Sequence, residues 1–446
     1  MNTAAVTNTS NSPGSIVLFL LTIAVCPAAT PPASTRTPEK RKPMRPIGTR
    51  SRRLGLTATF ATVAAAIAFG TPAHSAPAEG TILSAGNGTA VRGSYIVVLR
   101  DSAVTPSAVP SRARGLASRY GGTVGHIYTA ALRGFEVKLP ERAARQLAAH
   151  PDVDYIEENQ TVSLTDTQTP VPSWGLDRID QRALPLTNAY TYPTNAGAGV
   201  KAYIIDTGIN LTHVDFGGRA ISGIDTIDND NNATDCHGHG THVAGTVGGT
   251  AHGVAKAVTL VAVRVMSCTG GGTTAGIIAG IDWVTSDHTT GAAAANISLG
   301  GSTSKPMDAA VTNSIADGVT YVVAAGNLYG SDACGFSPSR VPNAITVGST
   351  TDTDARSGFS NIGKCLDIFA PGSNITSAGI GSDTATSVKS GTSMASPHVA
   401  GAAALVKALN PSFTPQQVRD YLVNTATQNV VTNPGTNSPN RLLFIG

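Results

Sequence analysis

The stretch Val200-Lys201-Ala202-Tyr203-Ile204-Ile205-Asp206-Thr207-Gly208 decides the fold. Six residues that are almost all apolar run straight into a carboxylate and a glycine turn. A strand that is apolar on successive positions must be covered on both faces, which is the habit of parallel sheets lined by helices. Its charged end then falls at the carboxyl edge of the sheet, where open α/β sheets place their ligands. Further candidate strands follow at Val258–Val263, Ala294–Leu299, Thr320–Ala325 and Ala344–Val347, and helical patterns separate them. From Trp174 onward the chain therefore reads as a parallel α/β sheet flanked by helices.

Upstream, residues 93–164 read as a small α+β unit, with strands at Tyr95–Leu99, Gly134–Leu139 and Val153–Ile156 and helices near Ser107–Tyr120 and Glu141–Ala149. At about 70 residues such a unit would be marginal alone. Thr165–Pro172 is polar, holds two prolines, and suits a linker or processing site. Two apolar stretches precede all of this, Ile16–Ala29 and Leu54–Gly70, both shorter than the roughly 20 residues of a comfortable membrane span. The second follows Arg45, Arg50, Arg52 and Arg53 and exits through small residues to Ala76, the layout of a cleaved secretory signal. The expected division is an upstream or mis-assigned start region at 1–43 ahead of Met44, a signal peptide at 44–76, the small α+β unit at 77–165 and the α/β domain at 166–446. The protein is expected to be secreted, extracellular and free of the membrane once the signal is cut.

The 446 residues allow two or three domains at roughly 150 residues each. Hydrophobic residues at 41%, with Gly and Pro together at 74 residues, exclude a disordered or collagen-like chain. Residues 1–165 carry a net charge of +8 and residues 166–446 a net −5. The second part thus offers no basic footprint for nucleic acid. It also contains no glutamate, since all six lie at or before Glu158. That excludes a zinc hydrolase of the His-Glu-x-x-His type.

Four polar clusters carry the chemistry. Asp206 ends the first strand; Asp-Thr-Gly is also an aspartic protease signature, but a second copy to share the proton is absent. His237, His239 and His242 open a helix after a glycine turn; a His-only metal site is one reading, a general base near neutral pH the other. Ser393, within Gly391-Thr392-Ser393-Met394-Ala395-Ser396-Pro397-His398, precedes a helical run at Val399–Leu409. A serine there is ordinarily only a cap, yet the same place exposes a hydroxyl beside backbone N–H groups that can meet an oxyanion. Asn327 ends the Ala324-Ala325-Gly326 strand as either a turn residue or an oxyanion donor. Beyond Cys26, the cysteines are Cys236, Cys268, Cys334 and Cys365. Of the three possible pairings, the sequential one is preferred for an exported chain, closing two loops worth roughly 3–4 kcal/mol apiece. Their spacing is too wide for a usual zinc site.

The order Asp, His, Asn, Ser, with His239-Gly-Thr-His242 and the string from Gly391 to His398, resembles the subtilisin-like serine proteases (peptidase S8) over nearly all of Trp174–Ile445. Trp174-Gly-Leu-Asp-Arg-Ile-Asp-Gln181 and the cysteine placement resemble the proteinase K branch and its aqualysin-like members; residues 93–164 resemble that branch's I9-type propeptide. The resemblance implies Asp206, His239 and Ser393 as a catalytic triad with Asn327 in the oxyanion hole. It also implies a primary specificity pocket walled by Ser298, Leu299, Gly300, Gly301, Ala324, Ala325 and Gly326, and an edge strand at Gly270, Gly271, Gly272 and Thr273 that pairs with substrate. It supports the pairings Cys236–Cys268 and Cys334–Cys365. A structural calcium is implied at Asp367 with the carbonyls of Pro342 and Ala344, and no catalytic cofactor. A second calcium site does not carry over cleanly, because Arg182 stands where a small hydroxyl residue is expected. The implied protein is a monomeric, autoprocessed endopeptidase of broad specificity. Its partners are protein and peptide substrates and its own propeptide, with no nucleic acid. An inactive peptide-binding homologue, a function residing in residues 93–164, and acyl transfer to amines are the competing readings.

Overall fold

The computed structural model describes residues 78–83, 90–161 and 164–446. The expected start region and signal peptide lie outside these residues.

Val200–Asp206 is indeed a strand, β1, and the others follow as β2 (Ala220–Asp225), β3 (Thr259–Arg264), β4 (Ala292–Ile297), β5 (Thr320–Ala324), β6 (Ile345–Thr350), β7 (Ile368–Pro371), β8 (Thr427–Gln428) and β9 (Arg441–Leu442). They form one nine-stranded sheet ordered β8-β9-β7-β6-β5-β4-β1-β3-β2, parallel except for the β8–β9 pair. β1 pairs with β3 on one side and β4 on the other, so the winding reverses at β1 and Asp206 sits at the switch point. Alternation along β1 explains its apolar run. Ala202 and Ile204 enter a core with α1 (His239–Gly248) and α4 (Thr392–Leu409), while Tyr203 and Ile205 enter a second core with α2 (Thr274–Asp287) and α3 (Lys305–Asp317). α5 (Pro415–Thr425), opened by a Thr414–Gln417 capping box, packs beside α4.

The upstream unit is a five-stranded sheet with two helices, Val109–Tyr120 and Glu141–Ala148, around its own core of Val97, Leu116, Phe135, Leu147 and Ile156. The pattern reading omitted two of its strands, Ile82–Leu83 and Thr123–Tyr128; the latter has no fully buried residue and is interrupted by Gly125, so it shows no apolar alternation.

The linker reading of Thr165–Pro172 is corrected. Thr165–Gln168 is a strand paired antiparallel with Tyr190–Pro193, and the Leu164 carbonyl accepts the Thr194 N–H at 2.9 Å. The Thr165–Gln168 strand is largely exposed, so its sequence stays polar, while Tyr190 of its partner strand is buried in the core. Both sequential disulfides form, Cys236–Cys268 and Cys334–Cys365. A buried, bidentate ion pair joins Arg178 to Asp354 at 2.6 and 2.9 Å and fixes the Trp174–Ile179 helix to the body.

Candidate active site

Asp206 is buried, and its Oδ1 accepts the His239 ring at Nδ1, 2.7 Å away, together with the Thr207 N–H at 2.8 Å. His239 begins α1 and is held in place by Asp235, which sequence reading passed over. The Asp235 carboxylate accepts N–H groups from His237, Gly238 and Thr241 and hydroxyls from Thr207 and Thr241, all within 2.6–2.9 Å. An acid just upstream of a helix start was the available signal, since its charge meets the orphan N–H groups there. Burial alone would push the His239 pKa down; the charge and hydrogen bond of Asp206 outweigh it and leave the imidazole above its ordinary value.

The three histidines do not converge. His242 is fully buried, with its Nε2 bonded to the Ile375 carbonyl at 2.9 Å, and burial depresses its pKa to about 3. Among the described residues, no group of three or more His, Cys, Asp or Glu side chains could hold a metal. The His-only metal reading therefore fails on geometry.

Ser393 lies in the first turn of α4, which begins at Thr392 rather than at Val399 and carries Pro397 inside it. Asn296 at the end of β4 donates to Ser298 at 2.8 Å and accepts from Ser396 at 2.7 Å, tying β4 to the start of α4. Ser298 Oγ donates to the Ser393 carbonyl at 2.9 Å, and the Ser393 hydroxyl donates to the Ser298 carbonyl at 2.8 Å. Asn327 is oriented by Thr392, whose N–H and hydroxyl both donate to its Oδ1 at 2.9 Å. With Oδ1 so engaged, the amide Nδ2 is left as a donor. Thr392 was missed because no pattern in the sequence links it to a residue 65 positions earlier.

A cleft of about 320 Å³ opens beside Ser393, lined by Ser298, Leu299, Gly300, Gly301, Ala324, Ala325, Gly326 and Asn327, with Phe336 and Asn361 among its further walls. All seven expected pocket residues thus meet in one place. Gly270, Gly271, Gly272 and Thr273 pair with no strand among the described residues: the Ser267 N–H bonds Gly271 O at 2.8 Å, and Thr273 N-caps α2 by accepting from Gly276 N at 3.0 Å.

Asp367 is buried, and burial raises its pKa despite the opposing charge of Arg419. One carboxylate oxygen accepts the Thr346 N–H at 2.9 Å and the other pairs with the Arg419 guanidinium. Ala344 is buried nearby in sequence, while Pro342 is exposed. The buried carboxylate suits a cation, and this chain supplies one of its own. Arg182, the residue at odds with a second calcium site, lies over the Phe444 ring at 3.9 Å and donates to Thr425 O at 3.2 Å.

A parallel α/β sheet with an Asp–His pair at its switch point and a serine in a facing helix turn defines a hydrolase of the serine peptidase class. The subtilase (peptidase S8) family model matches residues 197–442, and the peptidase inhibitor I9 model matches residues 94–165. The chain belongs to the subtilase family and is a subtilisin-like serine endopeptidase. It is 51% identical over 372 residues to the extracellular serine proteinase of Thermus sp. (strain Rt41A), covering 80% of this chain and 90% of the relative. It is 46% identical to alkaline serine exoprotease A of Vibrio alginolyticus, covering 82% and 69%. The crystal structure of a cold adapted subtilisin-like serine proteinase superposes with a TM-score of 0.60 at 51% identity, covering 62% of this chain and 99% of that one.

Proposed function

We propose that this protein is a secreted, broad-specificity endopeptidase, made as an autoprocessed zymogen, in which Ser393, His239 and Asp206 act as the triad. The Ser393 oxygen adds to the scissile carbonyl while His239 takes its proton. The carbon–nitrogen bond then breaks and the leaving amine receives that proton, after which water repeats the sequence on the acyl-enzyme. Asp206 holds the imidazole tautomer and stabilises its charged form. The Asn327 amide and the Ser393 N–H, which has no intrahelical acceptor in the first turn, receive the oxyanion. The observation that carries this reading is the 2.7 Å Asp206–His239 pair at the switch point of the same sheet that brings Ser393 and Asn327 to one cleft. No catalytic cofactor takes part.

The cleft's small residues leave room for an aliphatic or aromatic side chain, which supports broad specificity. Pairing of Thr165–Gln168 with Tyr190–Pro193 supports a cut near residue 165: the segment beyond the cut stays on the body, and residues 77–165 leave as the inhibitor. Export, after loss of a signal at 44–76, is supported by the relative named an extracellular serine proteinase. A calcium ion at Asp367, with the Pro342 and Ala344 carbonyls, would reinforce the fold and would compete with Arg419 for the carboxylate.

The Ser393 hydroxyl rests on the Ser298 carbonyl, and this favours a second reading, an inactive peptide-binding homologue. One rotation about its Cα–Cβ bond frees it, and catalytic hydrogen bonds commonly tighten only with substrate bound. Intact mass of the secreted protein before and after a fluorophosphonate probe separates the two. The endopeptidase reading expects a species beginning near residue 166 with one label on Ser393; a folded, unlabelled species would overturn it.

A further inference from the structure

A second cleft lies at the amino edge of the sheet, the end opposite to Asp206 and Ser393. It collects the approaches to three strands: Gly291 stands directly before β4, Gly318 two residues before β5 and Asn343 two residues before β6. At about 510 Å³ it is larger than the cleft beside Ser393 and falls in the range that holds a small organic ligand. Ile315, Pro411, Phe413 and Pro415 give it apolar walls.

Lys407, in the last turn of α4, lines this cleft with only 4% of its surface exposed. A lysine so covered ordinarily has an acid beside it, because a buried ammonium without a counter-charge is costly. Its Nζ donates to the carbonyls of Pro411 at 3.0 Å and Phe413 at 2.7 Å, which accounts for two of its three hydrogens. No carboxylate among the described residues pairs with it, and burial pushes its pKa down with no opposing charge. Asp317, the acid on the cleft wall, is engaged by His288, whose Nδ1 lies 3.0 Å from it and whose Nε2 lies 3.2 Å from the Gly291 carbonyl. At the start of α5 the capping box uses the Thr414 and Gln417 N–H groups and Pro415 has none, so that of Gln416 is left over.

We propose that this cleft is a binding site for a monocarboxylate carried on an apolar body, with the carboxylate on the Lys407 ammonium and the Gln416 N–H. The apolar walls give a bare inorganic anion nothing to bury, and Asp317 repels a phosphate dianion more than it repels a single charge. Two sources carry this chemistry: the C-terminal residue of a peptide cut after an apolar side chain, and a free hydrophobic acid. The site stands whether or not Ser393 is the nucleophile.

Calorimetric titration of the mature enzyme, treated with phenylmethanesulfonyl fluoride to stop self-digestion, tests this with N-acetyl-L-phenylalanine, its amide, 3-phenylpropionate and inorganic phosphate. The acetylated acid is expected to bind about ten- to a hundredfold more tightly than its amide, the span of one hydrogen bond to a charged group, and more tightly than phosphate. In K407M, which leaves the Ser393 cleft untouched, that advantage disappears. In D317N, which removes the repelling charge and keeps Lys407, both the acid and phosphate bind more tightly. Equal affinities of 3-phenylpropionate and the acetylated residue uphold the site for a free acid, and tighter binding of the acetylated residue upholds it for a peptide end. Absence of binding by the acid, equal binding of acid and amide, an acid preference that survives in K407M, or phosphate binding unchanged in D317N overturns the proposal.

Discussion

Replacing Asn327 by alanine tests the site at the point where geometry and chemistry are most tightly joined. Asn327 Oδ1 accepts two hydrogen bonds from Thr392 at 2.9 Å each, which leaves Nδ2 as a donor of fixed direction beside Ser393. That donor meets a charge present only in the tetrahedral state, so its loss should fall on kcat rather than KM. One of two oxyanion donors disappears, and the expected fall in kcat is about 10² to 10³, equivalent to about 2.7–4 kcal/mol. The ground state also pays a smaller penalty. The buried Thr392 loses its acceptor, although Asn327 is exposed enough for water to replace it, so the stability cost should sit near about 1 kcal/mol. Thr392→Val removes only one of the two restraints and should reduce kcat less, by about tenfold. Steady-state kinetics on a peptide amide, with a thermal melt of each variant, separates the effects. An Asn327→Ala enzyme whose kcat stays within about threefold of the parent, or whose loss lies wholly in KM, would refute the oxyanion assignment.

Because Asp206 raises the His239 pKa, the acid limb of kcat/KM should lie above the ordinary imidazole value of about 6.5. Asp206→Asn should shift that limb to lower pH and cut kcat by about 10⁴, and an unmoved limb would count against the pairing. The same raised value stabilises the fold below the ordinary pKa, and this contribution is lost as pH rises through the folded-state pKa, opposite to the trend in activity. If calcium and Arg419 compete for Asp367, a chelator should lower the melting temperature of Arg419→Gln more than that of the parent; equal shifts would refute the competition. Arg178→Ala strands a buried Asp354 and should cost about 3–5 kcal/mol by denaturant unfolding, much of it recovered when Asp354 is also made apolar.

Burial on both faces made the centre of the sheet readable. β1, β4 and β5 each present apolar residues at successive positions because α1 and α4 cover one side and α2 and α3 the other. The edges lacked that constraint. β2 ends the sheet, is buried only at Ala220 and Asp225 and contains Gly223; β7 lies inside the sheet and is buried throughout, but is only four residues long and ends in Pro371, too short a run to stand out. The site divides the same way. Asp206, His239, Asn327 and Ser393 stand in recognisable strings, and so do the pocket walls. The groups that orient them, Asp235, Thr392, Asn296 and Ser298, act through hydrogen bonds spanning up to 100 positions, which no local pattern encodes. Arg419 on Asp367 belongs to this second kind, and it changes what the carboxylate is free to do.

The spacing between His239 and Ser393 is set by helix packing. α1 carries the histidine and α4 the serine, and the two helices pack on each other with small residues at the contact. A Cβ on Gly401 would lie 2.6 Å from the Val254 side chain and 2.9 Å from Val247 O. A Cβ on Gly240 would lie 2.2 Å from Gly208 O and 3.2 Å from the Asp206 side chain. The first contact fixes how near α4 approaches α1, the second how near α1 approaches the carboxyl end of β1. Interiors at crystal-like density transmit such displacements instead of absorbing them. A methyl group at either place would therefore move the base relative to the nucleophile or the carboxylate, even though neither glycine touches substrate. The alanine and glycine richness of Val399–Ala404, which reads in sequence as an unremarkable apolar helix, is in this sense part of the active-site geometry.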